Sequence, residues 1–198
     1  MPKPMKTKFL FIAFVVTALL QLSAPLKMVY DSEMTERQGT LYRFRTAPVD
    51  PNDPFRGKYV ALRFNAETLA TKDTTWMPDE TVYALIENDS VGFATITRLS
   101  RSEPDGDNNY IAATVHYYSQ GIVTLNLPFE RFYMEESKAP EAEIAYNDYA
   151  GKEQKPAYAI VAVKDGHSVL KDVIVDDIPI REYVLRERNR TPQVTPTE

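Results

Sequence analysis

From Thr40 onward the chain is organised by alternation. LYRFR, Leu41 to Arg45, sets Tyr42 and Phe44 on one side, and YVALRF, Tyr59 to Phe64, sets Val60, Leu62 and Phe64 opposite Tyr59, Ala61 and Arg63. VYALIE (82–87), GFATITRL (92–99), YIAATVHYY (110–118) and GIVTLNL (121–127) add four more candidate strands, rich in the β-branched and aromatic types that pack on a pleated face. AYAIVAV (157–163), KDGH and SVLKDVIV (168–175) predict a hairpin, with Gly166 supplying the positive φ of the turn. Between the strands, EPDGDNN (103–109) reads as a polar hairpin loop, ESKAPEAE (136–143) as an acidic loop, and NAETLATK as one or two helical turns capped by Asn65. REYVLRERNR (181–190) reads as a short frayed helix running into a disordered tail over residues 186–198. The pattern predicts a mainly β, antiparallel sandwich or open barrel of about seven to ten strands over residues 40–185.

The first thirty residues follow a different rule. MPKPMKTK, residues 1–8, carries three lysines, and FLFIAFVVTALL, Phe9 to Leu20, follows with no charge. Such a flank and run fit a membrane anchor or a signal peptide. Continued to Tyr30, the segment has about 22 residues and reaches roughly 33 Å as a helix, enough to cross the hydrocarbon core. The small-x-small pattern of a cleavage site is missing, since Leu22-Ser23-Ala24 has Leu at the outer position and Pro25 follows. An uncleaved anchor over residues 9–30 is the favoured reading. The leading lysines predict a cytoplasmic N-terminus, hence an inner-membrane, single-pass protein with its body on the extracytoplasmic, periplasmic side. DSEMTERQG, residues 31–39, is a polar linker or a helical extension of the anchor.

Charge sharpens this division. The whole chain carries −5, yet all 28 carboxylates lie after Tyr30 against 19 basic residues, so the body carries −9. A body this acidic repels phosphate backbones, which excludes nucleic acid as a partner. The chain has 198 residues, one domain's worth, with 14 prolines against 7 glycines and no cysteine. Disulfides, thiolate nucleophiles and Cys-ligated metals are therefore excluded, and stability rests on the core.

The stretch PVDPNDPFRGKYVALRF, Pro48 to Phe64, stands apart from the strands. Its two Asp-Pro pairs disfavour helix at Asp50 and Asp53, so Pro48, Pro51 and Pro54 form a stiff bend from which Phe55 packs back and Gly57 permits a tight entry to the strand at Tyr59. Behind this bend, GKYVALRF at Gly57 to Phe64 resembles the signature of the GDYXXLXY family, bacterial membrane-anchored proteins named for that motif. FERFYMEE (129–136) and KDGHSVLKDVIVDD (164–177) are similar to later blocks of the same family, so the resemblance spans most of the chain. Gly57, Tyr59 and Leu62 agree with the signature, whereas Lys58 stands in place of the Asp and Phe64 in place of the Tyr. A lysine there would invert the charge of any ligand or base role, which favours an architectural part for the motif. The resemblance also implies a partner, a multi-spanning membrane protein encoded beside or fused to such chains.

Catalytic patterns are sparse. His116 and His167 are the only histidines, neither with a ligand at helical spacing. No G-x-S-x-G occurs, and a signal-peptidase-like pairing of Ser32 with Lys58 has no support in spacing. Glu135, Glu136, Glu141 and Glu143 offer paired carboxylates but read as a solvated loop. No cofactor is called for and no catalytic residue is assigned. The surface chemistry that stands out on an acidic body is Arg43, Arg45, Arg56 and Arg63 gathered around the proline bend. With Asp50, Asp53, Phe55, Gly57 and Tyr59 they form the candidate interaction set. The expected function is an accessory or interaction module, with an envelope hydrolase or small-ligand-binding protein as the alternative.

Overall fold

A computed structural model of the chain describes residues 5–49, 59–106, 109–152 and 155–190. It opens with one helix, α1 (Met5–Gln38), that contains Pro25 and, at about 1.5 Å per residue, is about 51 Å long. From Phe9 to Tyr30 its apolar side chains lie exposed, and the helix is long and apolar enough to cross a membrane. The polar segment after Tyr30, expected as a linker or an extension, is helical to Gln38 and rests on the β domain. Thr35 is 2% exposed there, its hydroxyl bonded to the Asp31 carbonyl at 2.8 Å. Lys171 reaches the Glu36 carbonyl at 3.2 Å, and His167 faces the Asp31 carboxylate at 4.0 Å.

The body is mainly β. Seven strands have five or more residues: β1 (Thr40–Ala47), β5 (Thr81–Asn88), β6 (Ala94–Ser100), β7 (Tyr110–Ser119), β8 (Ile122–Asn126), β10 (Tyr158–Lys164) and β11 (His167–Val175). Shorter strands are β2 (Tyr59–Ala61), β3 (Arg63–Phe64), β4 (Thr68–Ala70), β9 (Arg131–Tyr133) and β12 (Ile178–Pro179). One sheet runs β12-β11-β10-β1-β3, another β4-β8-β7-β5-β6, and β2 pairs with β9 as a ribbon; every ladder is antiparallel. The β10–β11 hairpin turns through Asp165 (φ 49) and Gly166 (φ 79), a pair of left-handed residues whose twist matches the flanking strands. Its tip joins the two sheets, because the Gly166 carbonyl accepts from Ala112 N–H at 2.9 Å while a Cβ on Gly166 would press on the Tyr110 ring at 2.8 Å.

YVALRF, expected as one strand, is two. Tyr59 to Ala61 pair with β9, Leu62 donates its N–H to the Glu130 carbonyl at 2.8 Å, and Arg63 and Phe64 pair with β1. Period-two burial survives this change of partner, with Val60, Leu62 and Phe64 all buried. The helical turn at NAETLATK is a 3-10 turn, Asn65–Glu67, but Asn65 is not its cap. Phe64 holds that position, its N–H received by the Glu67 side chain at 3.0 Å, and the chain enters β4 immediately afterwards.

The acidic loop expected at 136–143 is also corrected. Helix α2 (Ala139–Tyr149) begins at Ala139 with Pro140 in its first turn, where proline's fixed φ suits a helix and its missing N–H is no loss. Its buried stripe, Ala142, Ala145 and Tyr146, is made mostly of alanine and so is faint as a hydrophobic period. Helix α3 (Ile180–Arg190) buries Ile180 and Val184 and packs on α2, with Arg188 bonded to Glu141 at 2.6 Å.

Gly39 is the joint between rod and sheet. Its N–H closes the last helical turn on the Thr35 carbonyl at 2.8 Å, and a Cβ there would run into that carbonyl oxygen and approach Val163 N within 3.0 Å. Gly39→Ala is therefore expected to destabilise the chain by about 1–3 kcal/mol through overpacking against backbone that cannot yield. Urea unfolding of the detergent-solubilised protein checks it, and an unchanged midpoint contradicts the tight joint.

Candidate functional site

The residues of the signature strand converge on one groove. β2 brings Tyr59 opposite Tyr133 of β9, with ring centroids 5.7 Å apart, and the Arg131 guanidinium lies over the Tyr59 ring at 5.3 Å. A surface groove of about 350 Å³ opens here, lined by Pro48, Val49, Tyr59, Arg63, Glu130 and Arg131. Tyr133 is 61% exposed beside it. The groove therefore combines aromatic faces with two guanidinium groups and one carboxylate, the chemistry of a protein contact surface.

Its floor is held by two buried polar side chains. Tyr146, fully buried on α2, donates its hydroxyl to the Ala47 carbonyl at 2.7 Å and accepts from Arg63 N–H at 3.1 Å, tying α2 to both β1 and β3. Burial pushes its phenol up to about 12, so it stays a donor throughout the physiological range. Glu67, 6% exposed, accepts from the Phe64 backbone and from the Arg63 guanidinium at 3.3 Å. Arg63 is thus committed inward by one contact while its remaining donors face the groove.

The other sequence candidates sit elsewhere or serve the frame. Arg43 and Arg45 project from the same face of β1, which the register extends to Arg63 on β3 through its partner Ala47. Both guanidinium groups lie over the Phe93 ring, at 5.1 and 4.3 Å, and Arg43 donates to the Gly92 and Val91 carbonyls at 3.2 and 3.3 Å. They clamp the turn between β5 and β6 onto β1. Asp50, Asp53, Phe55, Arg56, Gly57 and Lys58 lie outside the described residues. His116 is exposed on β7 where the register with β8 shifts, and His167 stands near Asp31. Glu135 pairs with Lys138 at 2.7 Å and Glu141 with Arg188. Among the described residues no three His, Cys, Asp or Glu side chains stand together as metal ligands.

Arg131, Tyr133 and Glu130 escaped the sequence reading, although ERFY carries a visible signal. Arg131 and Tyr133 alternate about buried Phe132, which is how an edge strand displays two outward side chains.

Burial raises the Glu67 carboxyl above the ordinary glutamate value, against the opposing pull of Arg63 and of the Phe64 N–H. A raised value means that the folded chain keeps a proton the unfolded chain gives up, so the contribution is greatest below about 4.3 and is lost as pH rises through the folded value. Measured against Glu67→Gln, the natural chain should gain relative stability as pH falls from 7 to about 4. Denaturant midpoints at each pH read this difference, and a gap moving the other way overturns the sign.

The model of the GDYXXLXY protein family matches residues 21–173, from within α1 through most of β11. No curated protein and no solved structure matches the chain. The matched span holds the split signature strand, the ribbon partner β9 and the hairpin that joins the sheets, and the chain accordingly belongs to the GDYXXLXY protein family.

Proposed function

We propose that this chain is a single-pass, inner-membrane protein whose β domain stands on the periplasmic side and serves as an interaction or accessory module for a multi-spanning membrane protein. The observation that carries the reading is the continuity of α1. The exposed apolar stretch from Phe9 to Tyr30 and the docked turn at Thr35 belong to one helix, Met5–Gln38. Cutting after Ala24 would sever that helix mid-length, whereas an intact anchor holds the domain on a stiff rod at a set height above the bilayer. Lys3, Lys6 and Lys8 ahead of the apolar run support a cytoplasmic N-terminus.

A domain held in that way presents a defined face to whatever stands beside it in the membrane. The Tyr59 groove is the face with the composition of a contact site, since aromatic residues and arginine dominate binding hot spots. Tyr59, Arg63, Arg131 and Tyr133, with Asp50, Asp53, Phe55, Arg56 and Gly57 of the adjoining bend, form the proposed docking surface; Arg43 and Arg45 support it by holding the Val91–Phe93 turn. The family resemblance supplies the partner class, a polytopic membrane protein.

Two measurements test this. Alkaline extraction should leave the full-length protein in the membrane pellet, and a periplasm-dependent reporter at its C-terminus should be active; a soluble intact chain refutes the anchor. Affinity recovery in mild detergent should yield one polytopic protein in stoichiometric amount, reduced about tenfold or more by Tyr59→Ala or Arg131→Glu. Equal recovery by these variants refutes the docking surface.

A further inference from the structure

The sheet β4-β8-β7-β5-β6 nearly closes on itself. β4 and β6 are its opposite edges, yet Cα atoms of the two strands come within 8 Å of each other. No ladder joins them among the described residues. An added strand would need about 9.6 Å between its neighbours, twice the ordinary spacing, so where the two edges come within 8 Å the seam is too narrow for strand insertion. Thr97 has no partner in the register with β5, a bulge that turns both Thr97 and Arg98 outward and blunts this edge further.

Over the seam lies a groove of about 410 Å³, within the range of small-molecule sites. Leu69 of β4 and Leu99 of β6 form its apolar walls, and Lys72 and Arg98 stand exposed at its rim. Neither cation has a carboxylate partner among the described residues, on a body whose net charge is −9.

The acids nearby are already spent. Arg101 donates to Asp73 at 2.8 Å, to Glu80 at 2.6 Å and to the Thr75 hydroxyl at 2.9 Å, and its guanidinium covers the Trp76 ring at 4.0 Å. The Thr75 hydroxyl and Arg101 together hold the Asp73 carboxyl down to about 2, so it remains an ionised, committed acceptor. Trp76 borders the groove and is 9% exposed, and its indole N–H is buried without a hydrogen-bond partner.

We propose that this seam binds a small amphiphilic anion, its carboxylate or phosphate group held between Lys72 and Arg98 and its short apolar part on Leu69 and Leu99, beside the Trp76 ring. Arginine at the rim suits either acid, since its planar fork matches both geometries. Aperture and volume set the size class, and the shallow apolar walls accommodate a few methylenes rather than a long chain. The site shares no lining residue with the Tyr59 groove, so it stands or falls independently of the docking surface.

Trp76 is the only tryptophan in the chain and reports on the site directly. Full-length protein in detergent is titrated, at constant ionic strength, with butyrate, with butyl phosphate and with butyltrimethylammonium chloride, following tryptophan emission. At least one of the two anions should give a saturable change, and the preferred anion distinguishes a carboxylate from a phosphate ligand; the cation should give none. Arg98→Gln and Lys72→Gln, both at exposed positions, should each weaken half-saturation about tenfold while leaving the thermal midpoint in place. The proposal is overturned if neither anion gives a saturable response, if the cation matches them, or if both variants bind as the natural chain does.

Discussion

Phe129 sits between Phe44 of β1 and Phe64 of β3, with ring centroids 5.1 and 5.2 Å away, and Phe44 meets Phe64 edge-on at 6.0 Å. These three rings occupy the place where the chain passes from one sheet to the other. β3 ends at Phe64, a single 3-10 turn follows, and β4 begins the second sheet. Phe129 arrives from the other direction, on the segment joining β8 of the second sheet to β9 of the ribbon. Loss of a buried phenylalanine typically costs about 3–5 kcal/mol, a large part of the about 5–15 kcal/mol that holds a domain together. The cluster works with the hairpin tip at Gly166 and the Arg43 and Arg45 clamp on Phe93 to join the two sheets around one continuous core.

The same crossing explains the signature motif. YVALRF spans the change of partner, so its alternation has to satisfy two ladders in succession. Val60 and Leu62 enter the core beside the ribbon, Phe64 enters the aromatic cluster, and the outward residues Tyr59 and Arg63 are left on the rim of the groove. Phe64, which departs from the signature, bears on this. Phe64 fills a buried, wholly apolar position, where the tyrosine of the signature would need a partner for its hydroxyl. An architectural motif that also displays two side chains needs no catalytic role to account for its residues.

Polar side chains do the positioning around this core. Tyr146 spans β1 and β3 from α2, Glu67 holds the turn after Phe64, and Arg43 and Arg45 clamp the β5–β6 turn through Phe93. Tyr146 and Arg43 join segments far apart in the chain, and Tyr146, Glu67 and Arg43 each satisfy a backbone group that would otherwise be stranded at a sheet edge or turn. The helix joint obeys the same economy. A glycine, one buried threonine and the Lys171–Glu36 contact join the long rod to the sheet, with the closest approach at Gly39.

Local patterning was enough to determine the seven longer strands, the Asp165-Gly166 hairpin and the division between an apolar helix and an acidic β body, because these depend on period, turn chemistry and charge within a few residues. Membership of the family was legible for the same reason, since the signature and the later blocks are contiguous stretches. The sequence misjudged α2, whose alanine stripe is too weakly apolar to register as a period, and Asn65, which yielded the cap position to a residue already paired with β1. The split of YVALRF, the pairing of Tyr59 with Tyr133, the inward commitment of Arg63 and the near-closure of β4 on β6 were decided by tertiary structure alone. Each depends on which strands become neighbours, and strand order is set by the packing of the whole core, a quantity no local window contains.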